Sequence, residues 1–311
     1  MKLIIQIPCY NEESSLPVTL SELPKTVAGF DSVEWLIIDD GSTDDTVEIA
    51  NKHGVHHVVR HVQNQGLARA FMTGLDAALA AGADVIVNTD ADNQYRASDI
   101  EQLVRPILEH EAEIVIGARP IAQTAHFSFL KKTLQRLGSW VVRVVSGTNI
   151  EDAPSGFRAF TRSAASKLMV FSEYTYTLET IIQAGQKNIP IVSVPIGTNA
   201  DMRPSRLVRS LPSYISRSCM TIVRIFIVYR PFRFFITIGT ILFTAGVLVG
   251  LRFLLFYISG EGDGHVQSLI LASVLLGMGF QTILIAFVAD LLAANRKLLE
   301  EQRQRSLADR N

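Results

Sequence analysis

Cysteine is nearly missing from this 311-residue chain, with Cys9 and Cys219 the only two. They sit in unlike contexts without metal-ligand spacing, which argues against a disulfide framework or a thiolate zinc site. An excess of one charge is missing as well. Lysine and arginine number 29 against 30 aspartates and glutamates, a formal net charge of -1, so no global basic field points to nucleic acid. Nor does the chain open on a long apolar run. MKLIIQIPCYNEE turns polar too soon for a secretory signal, and Met1 to Ile7 reads as a buried first strand. The N-terminal part is therefore expected in a reducing cytosol.

What is present is unevenly placed. Hydrophobic residues make up 48% of the chain, a mean that hides a change of character near Phe234. From Phe234 to Tyr257 the only charge is Arg252, and from Val266 to Ala289 there is none. Each run spans about 36 Å as a helix, enough for a hydrocarbon core of about 30 Å. The sequence thus predicts a transmembrane hairpin over about 233–295, with spans near 234–257 and 266–292. Its connection, SGEGDGH, is short and acidic, whereas the outer flanks carry Arg224, Arg230 and Arg233 on one side and Arg296, Lys297, Arg303 and Arg305 on the other. The positive-inside bias puts both flanks, the N-terminal domain and the basic tail 296–311 in the cytoplasm. Ahead of the spans, the segment 201–232 reads as amphipathic. Arg206, Arg217 and Arg224 fall within about 20° on a helix, the pattern of an interfacial element, with Pro212 splitting it in two. Glycines 239, 246, 250, 277 and 279 permit close helix contacts and leave a homo-oligomer open.

Up to about residue 200 the pattern is that of an α/β domain. Apolar runs at 3–8, 33–40, 84–90, 112–119 and 189–196 predict strands. Helical spacing over Ser14 to Ala28, Thr43 to His53 and Gly66 to Ala81 fills the intervals, and the alternation implies a mostly parallel sheet with right-handed crossovers. A basic helical segment follows from Phe129 to Val145. EDAPSGFRAF (151–160) reads as a loop leading to a helix containing YTLETIIQAG. HGVHHVVRH (53–61) reads as a helix end entering a short strand, since its histidines alternate faces and bring no acidic partner.

Ligands of such sheets sit beyond the carboxyl ends of the strands. Polar clusters fall at three of those ends: Tyr10 to Glu12, Asp39 to Gly41, and Asp90 to Gln94. Asp90 and Asp92 repel one another and need compensation, from water in a bland loop or from a divalent cation with Gln94 adding an amide oxygen. Asp39 and Asp40 are placed to accept hydrogen bonds from a base and a ribose, whereas Asp44 and Asp45 read as first-turn helix charges. Asn88 and Thr89 shape a strand end, Gly66 and Arg69 either start a helix or cover a nucleotide, and Glu179 is expected to face water.

IPCYNEE, DDGSTDDT, TDADNQ and SGFRAF stand in the order and at the spacing seen in family 2 glycosyltransferases, over roughly residues 2 to 200. The chain resembles in particular the polyisoprenyl-phosphate glycosyltransferases, including the dolichol-phosphate mannose synthases, and paired C-terminal spans match a common subgroup. The resemblance implies a nucleotide-diphospho-sugar-binding α/β domain of GT-A type over 1–200. It also implies a nucleotide-sugar donor, a polyisoprenyl-phosphate acceptor and a Mg2+ or Mn2+ cofactor. Carried over by position, Pro8, Tyr10 and Glu12 line the nucleotide pocket with Asp39 or Asp40, and Asp90, Asp92 and Gln94 match the metal positions. Arg119 and Arg158 resemble basic residues near the phosphates, with pairing to nearby carboxylates as the plainer alternative. Asp152 matches an acidic position near the sugar, or is a turn residue before Pro154. The acceptor-phosphate set departs from the family pattern: KKTLQRLGS leaves Lys132 and Arg136 as approximate matches, and RPSRL leaves Arg203 and Arg206.

Three rival readings are weaker. A polysaccharide or glycolipid acceptor remains the alternative within the family, but the Q-x-x-R-W motif of processive synthases is missing. A nucleotidyltransferase lacks its glycine-rich, lysine-bearing N-terminal loop here. A non-catalytic membrane anchor would not need intact acidic positions.

Overall fold

The computed structural model describes residues 1–120, 139–140, 142–144, 146–170, 176–199, 220, 223–224, 227–260 and 265–308. The chain divides into two compact units, Met1–Ser218 and Cys219–Asn311.

The first unit is built on seven strands: β1 (Lys2–Cys9), β2 (Ser32–Asp39), β3 (His57–Arg60), β4 (Val85–Asn88), β5 (Ile114–Ala118), β6 (Arg158–Thr161) and β7 (Ile191–Pro195). Their order is β3-β2-β1-β4-β6-β5-β7, and every pairing is parallel except those of β6 with β4 and β5. Helices α1 (Leu16–Glu22), α2 (Thr46–Lys52), α3 (Leu67–Ala80), α4 (Ile100–Leu108), α5 (Arg162–Lys167) and α6 (Thr177–Gln186) connect them. Both faces of the sheet are covered, so the central strands are apolar throughout instead of alternating. Leu3, Ile5 and Ile7 of β1 pack on one face with Leu16, Leu20, Ile100 and Leu103. Ile4 points to the other, into a cluster with Phe71, Leu75 and Phe160. Each such side chain, withdrawn fully from water, contributes about 1.5–3 kcal/mol.

The mostly parallel α/β architecture agrees with expectation, and the differences have local causes. The first helix ends at Glu22, not Ala28, because Pro24 disfavours helical geometry at Leu23, which is extended. The second begins at Thr46, not Thr43, since residues 43–45 are engaged in turn hydrogen bonds described below. RAFT is a strand, not part of a loop. Its four residues include a buried arginine, a poor strand signature, and it is antiparallel to its neighbours. The helix α4 was not anticipated, and it carries Pro106 within it. The histidines at 57 and 61 do have acidic partners: His57 Nε2 lies 2.7 Å from Glu34 Oε2, and His61 Nδ1 2.7 Å from Asp40 Oδ1. Those acids come from the neighbouring β2, Glu34 near its start and Asp40 just past its end, and are invisible within the histidine-rich stretch itself. Glu179, expected to face water, is buried on α6.

The second unit contains α7 (Pro231–Ile258) and α8 (Val266–Ala308). Pro231–Ile258 and Val266–Arg296 are long and apolar enough to cross a membrane. Large apolar side chains along both helices stand exposed, among them Leu248, Leu255, Phe280 and Phe287, far more than water-facing helices tolerate. The two helices meet at glycines. A Cβ on Gly279 would come within 2.6 Å of the Phe243 amide nitrogen, and one on Gly239 within 2.7 Å of Ile283 Cγ1. Gly277 instead faces open space. The expected tail from 296 continues α8 as helix to Ala308. Most of the expected interfacial segment, with Pro212, lies outside the described residues, as does most of the basic segment 129–145.

Candidate active site

Parallel strands bring their carboxyl ends to one edge of the sheet, and the register aligns them there: Cys9 lies opposite Asp39, Asp39 opposite Arg60, and Gln6 opposite Asn88. Tyr10 to Glu12, Asp39 to Gly41 and Asp90 to Gln94 therefore leave adjacent strands at the same edge. Because β6 runs the other way, its start reaches this edge. Asn88 pairs with Arg158, and the loop 152–157 enters the site.

Reciprocal hydrogen bonds join the first two loops. The Asn11 amide donates to Ser42 Oγ and Asn11 Oδ1 accepts from the Thr43 amide, both at 2.9 Å. The Glu12 amide donates to Thr46 Oγ1, and Asp44 accepts from the amides of Glu13 and Thr46. Burial opposes the charge of Asp44, but the Thr46 hydroxyl and these amides outweigh it and its pKa is lowered. Asp44 thus bridges the two loops just ahead of the helix. Glu12 is buried and accepts from Ser15 Oγ at 2.6 Å, Pro8 is buried, and Tyr10 stands 41% exposed at the rim.

The two adjacent aspartates of β2 take different surroundings. Asp39 is fully buried, with Oδ1 accepting from the Ser42 amide at 2.9 Å. Its Oδ2 has the Arg60 guanidinium 3.0 Å away as an ion-pair neighbour, at an angle that makes no hydrogen bond. Asp40 holds the following loop. Its carboxylate takes the amides of Gln65 and Gly66, each at 2.8 Å, and His61 Nδ1, while His61 Nε2 contacts Thr73 Oγ1 at 3.0 Å. Three protein donors already converge on this buried carboxylate, which gives Asp40 an organising role in the loop. Gly66, at φ +90, starts α3.

Gly41, between these aspartates and Ser42, is needed twice over. Its φ is +77, and a Cβ would lie 2.6 Å from the Gln63 carbonyl carbon and 2.8 Å from the Asn64 nitrogen, both backbone atoms. Gly41→Ala is expected to cost about 2–3 kcal/mol of stability, from the left-handed conformation plus displacement of the 63–66 loop. A thermal melt checks this, and an unchanged melting temperature would contradict it.

Asp90 and Asp92 are both half-buried. Thr19 Oγ1 donates to the Ala91 carbonyl between them at 2.9 Å, and Asp92 Oδ1 accepts from the Gln94 amide at 3.2 Å. Asn93 adopts φ 57. Tyr95 is buried, stacked on Phe157 with centroids 5.1 Å apart, and its Oη accepts from the Gly156 amide at 3.0 Å. Burial raises its pKa to about 12, which keeps the phenol neutral. Among the described residues no group of three or more His, Cys, Asp or Glu could cage a metal. Two carboxylates and an amide suit instead an ion that keeps positions open for water or for substrate phosphates, the habit of magnesium and manganese.

Beneath that turn lies a buried polar network. Gln6 Nε2 donates to Asn88 Oδ1 at 2.8 Å, and Asn88 Nδ2 donates to the Gly156 carbonyl and to Tyr176 Oη, each at 2.9 Å. Tyr176 stacks on Phe71 at 3.9 Å. A Cβ on Gly156 would meet Tyr176 Oη at 2.9 Å and the Asp90 carboxylate at 3.1 Å, so the SGF loop passes directly under Asp90.

The arginines of this edge differ in kind. Arg119, just past β5, grips Asp152 with Nε at 2.7 Å and Nη2 at 3.1 Å, the bidentate fork of a strong pair. Burial disfavours its charge, but Tyr95, Asp152 and Asp90 outweigh that and raise its pKa. Arg158 is fully buried. Nε donates to the Ser155 carbonyl at 2.7 Å, Nη1 to the Thr177 carbonyl at 2.8 Å and to Thr180 Oγ1, and Nη2 to the Ala153 carbonyl at 2.8 Å. Four of its five N–H groups thus lace the 152–157 loop to α6, and burial lowers its pKa to about 10. These donors face three protein carbonyls and the Thr180 hydroxyl, which favours a strut over the place at the phosphates expected of it.

The edge therefore gathers Pro8, Tyr10, Glu12, Asp39, Asp90, Asp92, Gln94, Arg119 and Asp152, with Asp40 and Arg158 as struts. Lys132, Arg136, Arg203 and Arg206 lie outside the described residues. Sequence reasoning missed Gln6, Tyr95 and Tyr176, whose only signals were a glutamine inside an apolar strand and aromatics next to motifs.

Residues 4–169 match the family model described as Glycosyl transferase family 2. Among curated proteins, the chain is 33% identical over 217 residues to a UDP-N-acetylglucosamine–dolichyl-phosphate N-acetylglucosaminyltransferase of Methanococcus voltae, covering 62% of this chain and 83% of that one. It is 29% identical over 206 residues to an undecaprenyl-phosphate mannosyltransferase of Micrococcus luteus, covering 63% and 83%. A polyprenol monophosphomannose synthase of Mycolicibacterium smegmatis is 26% identical over 204 residues, covering 62% and 76%. Among solved structures, glucosyl-3-phosphoglycerate synthase of Mycobacterium tuberculosis, in complex with Mn2+, UDP-glucose and phosphoglyceric acid, superposes with a TM-score of 0.57 at 20% identity, over 72% of this chain and 78% of that one. That likeness establishes the shared fold.

Proposed function

The chain belongs to glycosyl transferase family 2, and from this we propose that it moves a hexose from a nucleotide-diphospho-sugar to a polyisoprenyl phosphate, undecaprenyl or dolichyl, at the cytoplasmic face of a membrane. One observation carries the reading: the acidic turn, the Arg119–Asp152 pair and the two nucleotide-side loops leave one edge of the sheet, in a chain that also holds two membrane-length apolar helices. The three named relatives support the acceptor class, since each name specifies a polyprenyl-type lipid phosphate.

The chain's own residues divide the work. Tyr10 at the rim, Pro8, Glu12 and Asp39 form the nucleotide side, and Asp39 Oδ2 retains acceptor capacity for a base or ribose donor. Asp90, Asp92 and Gln94 would hold Mg2+ or Mn2+, which when bound offsets charge on the leaving diphosphate. Asp152 holds Arg119 extended toward the site, so the guanidinium is positioned before substrate arrives. Lys132, Arg136, Arg203 and Arg206 are assigned to the acceptor phosphate. That phosphate is already an anionic nucleophile near neutral pH, so orientation and charge balance replace a strong general base. A single direct displacement inverts the anomeric centre.

Both apolar helices cross the bilayer in this reading. Arg230 and Arg233 flank one outer end and Arg296 and Lys297 the other, so the positive-inside bias puts the catalytic domain and both outer flanks in the cytoplasm. Membranes containing the protein, incubated with polyprenyl phosphate and a panel of nucleotide sugars, are expected to yield a polyprenyl-phospho-hexose by mass spectrometry. Donor hydrolysis with no lipid product across the panel would sink the proposal.

A further inference from the structure

The turn after the two aspartates is held by a part of the chain remote in sequence. Beyond β7 three consecutive residues run alongside it. The Gly197 amide donates to Asp99 Oδ2 at 2.6 Å, Thr198 forms an antiparallel bridge with Tyr95, and the Asn199 amide donates to the Gln94 carbonyl at 2.9 Å. The Asn199 side chain completes the clamp, with Nδ2 donating to the Asn93 carbonyl at 3.0 Å. Asn93 sits in the left-handed region, which a non-glycine residue keeps only where its surroundings fix it. The strap lies close: a Cβ on Gly197 would come within 2.7 Å of Arg96 Cδ.

The geometry points to Asn199 as a positioning residue for the acidic turn: its amide fixes the Asn93 peptide and so the direction in which Asp92 and Gln94 present their oxygens. The inference rests on the reading of Asp90, Asp92 and Gln94 as the cation's holders. Asn93 is the residue between Asp92 and Gln94, so rotation of its peptide turns one or both of them. Magnesium-class ions demand near-ideal octahedral geometry, and an error in ligand direction is felt directly as lost affinity. Asn199 itself touches neither ion nor sugar. It acts as the outer-shell partners of metal ligands do, through the group it orients.

The test titrates Mn2+ into the detergent-solubilised full chain with UDP present, and in a second arm with GDP, following the free-Mn2+ paramagnetic resonance signal. Asn199→Ala, and Asn199→Leu, which keeps roughly the volume and removes the amide without adding charge, are each expected to weaken Mn2+ binding about tenfold with little change in melting temperature. Asp92→Ala abolishes it. Glu22→Ala, which removes the second partner of the same amide at 3.5 Å, leaves it unchanged. Should both Asn199 variants bind Mn2+ as the parent does, whatever their melting temperatures, while Asp92→Ala does not, the positioning role falls and the cation reading stands. Should the parent bind no Mn2+, or bind it indifferently to Asp92, the cation reading fails and takes the role of Asn199 with it.

Discussion

Replacing Asp92 by alanine is expected to lower sugar transfer by about two to three orders of magnitude at saturating donor, the scale on which loss of a preorganised electrostatic partner is felt. Asp92 is the better target of the pair. Among the described residues its carboxylate makes one hydrogen bond, of 3.2 Å to the Gln94 amide, a contribution to stability of about 1 kcal/mol. Asp90 instead lies against Gly156 and next to the Tyr176 hydroxyl, so its removal would disturb the buried network as well. The turn itself survives the loss of Asp92, because Thr19 still holds the Ala91 carbonyl, Tyr95 still accepts from Gly156, and Asn199 still straps residues 93 and 94. A variant that folds, inserts in membranes and transfers nothing thus separates chemistry from scaffold. The measurement is transfer of labelled hexose to lipid with Mg2+ or Mn2+ supplied, alongside a thermal melt. Transfer at the parental rate with the melt unchanged would remove the acidic turn from the reaction.

How much of this was readable beforehand follows from the range of the interactions. Central strands announce themselves because both their faces are buried, and Leu3 to Ile7 or Val85 to Val87 could hardly be anything else. The acidic turn was readable for a related reason: polar residues at the ends of parallel strands fall on one edge once the crossovers share a hand. RAFT escaped because a strand of four residues with an arginine in the core has no periodicity to detect, and its antiparallel direction is decided by a partner 70 residues away in the chain. The same holds for the partners of Asp40 and Arg119. Composition displays the carboxylates and the cations, but only the fold says that Asp40 meets His61 and two amides while Asp152 meets Arg119. Motif logic assigned both acids of DDGS to substrate. Tertiary geometry divides them into one with a carboxylate oxygen that accepts no hydrogen bond and one that already takes three protein donors.

Arg158 provides the second large effect, one that discriminates between a strut and a ligand. Arg158→Lys is expected to cost about 2–4 kcal/mol, since a single ammonium nitrogen cannot reach four acceptors that a planar fork reaches, and each orphaned buried carbonyl carries a penalty of about 1–3 kcal/mol. A second cause acts in the same direction. Burial lowers the pKa of this arginine to about 10. The same surroundings acting on lysine, which starts from about 10.4, drive it toward neutrality, and a neutral amine donates more weakly to those carbonyls. The lost bonds join Ala153 and Ser155 to Thr177 and Thr180, so the loosening should concentrate in 152–157 and the first turn of α6. Hydrogen exchange there is expected to accelerate, and the melting temperature to fall. Asp152, at the start of the same loop, then holds Arg119 less firmly, and turnover drops as a consequence of the loosening. A phosphate ligand would behave in the opposite way, raising the KM for donor while leaving stability and exchange untouched. If the lysine variant shows that second pattern, Arg158 meets substrate after all and the strut assignment is wrong.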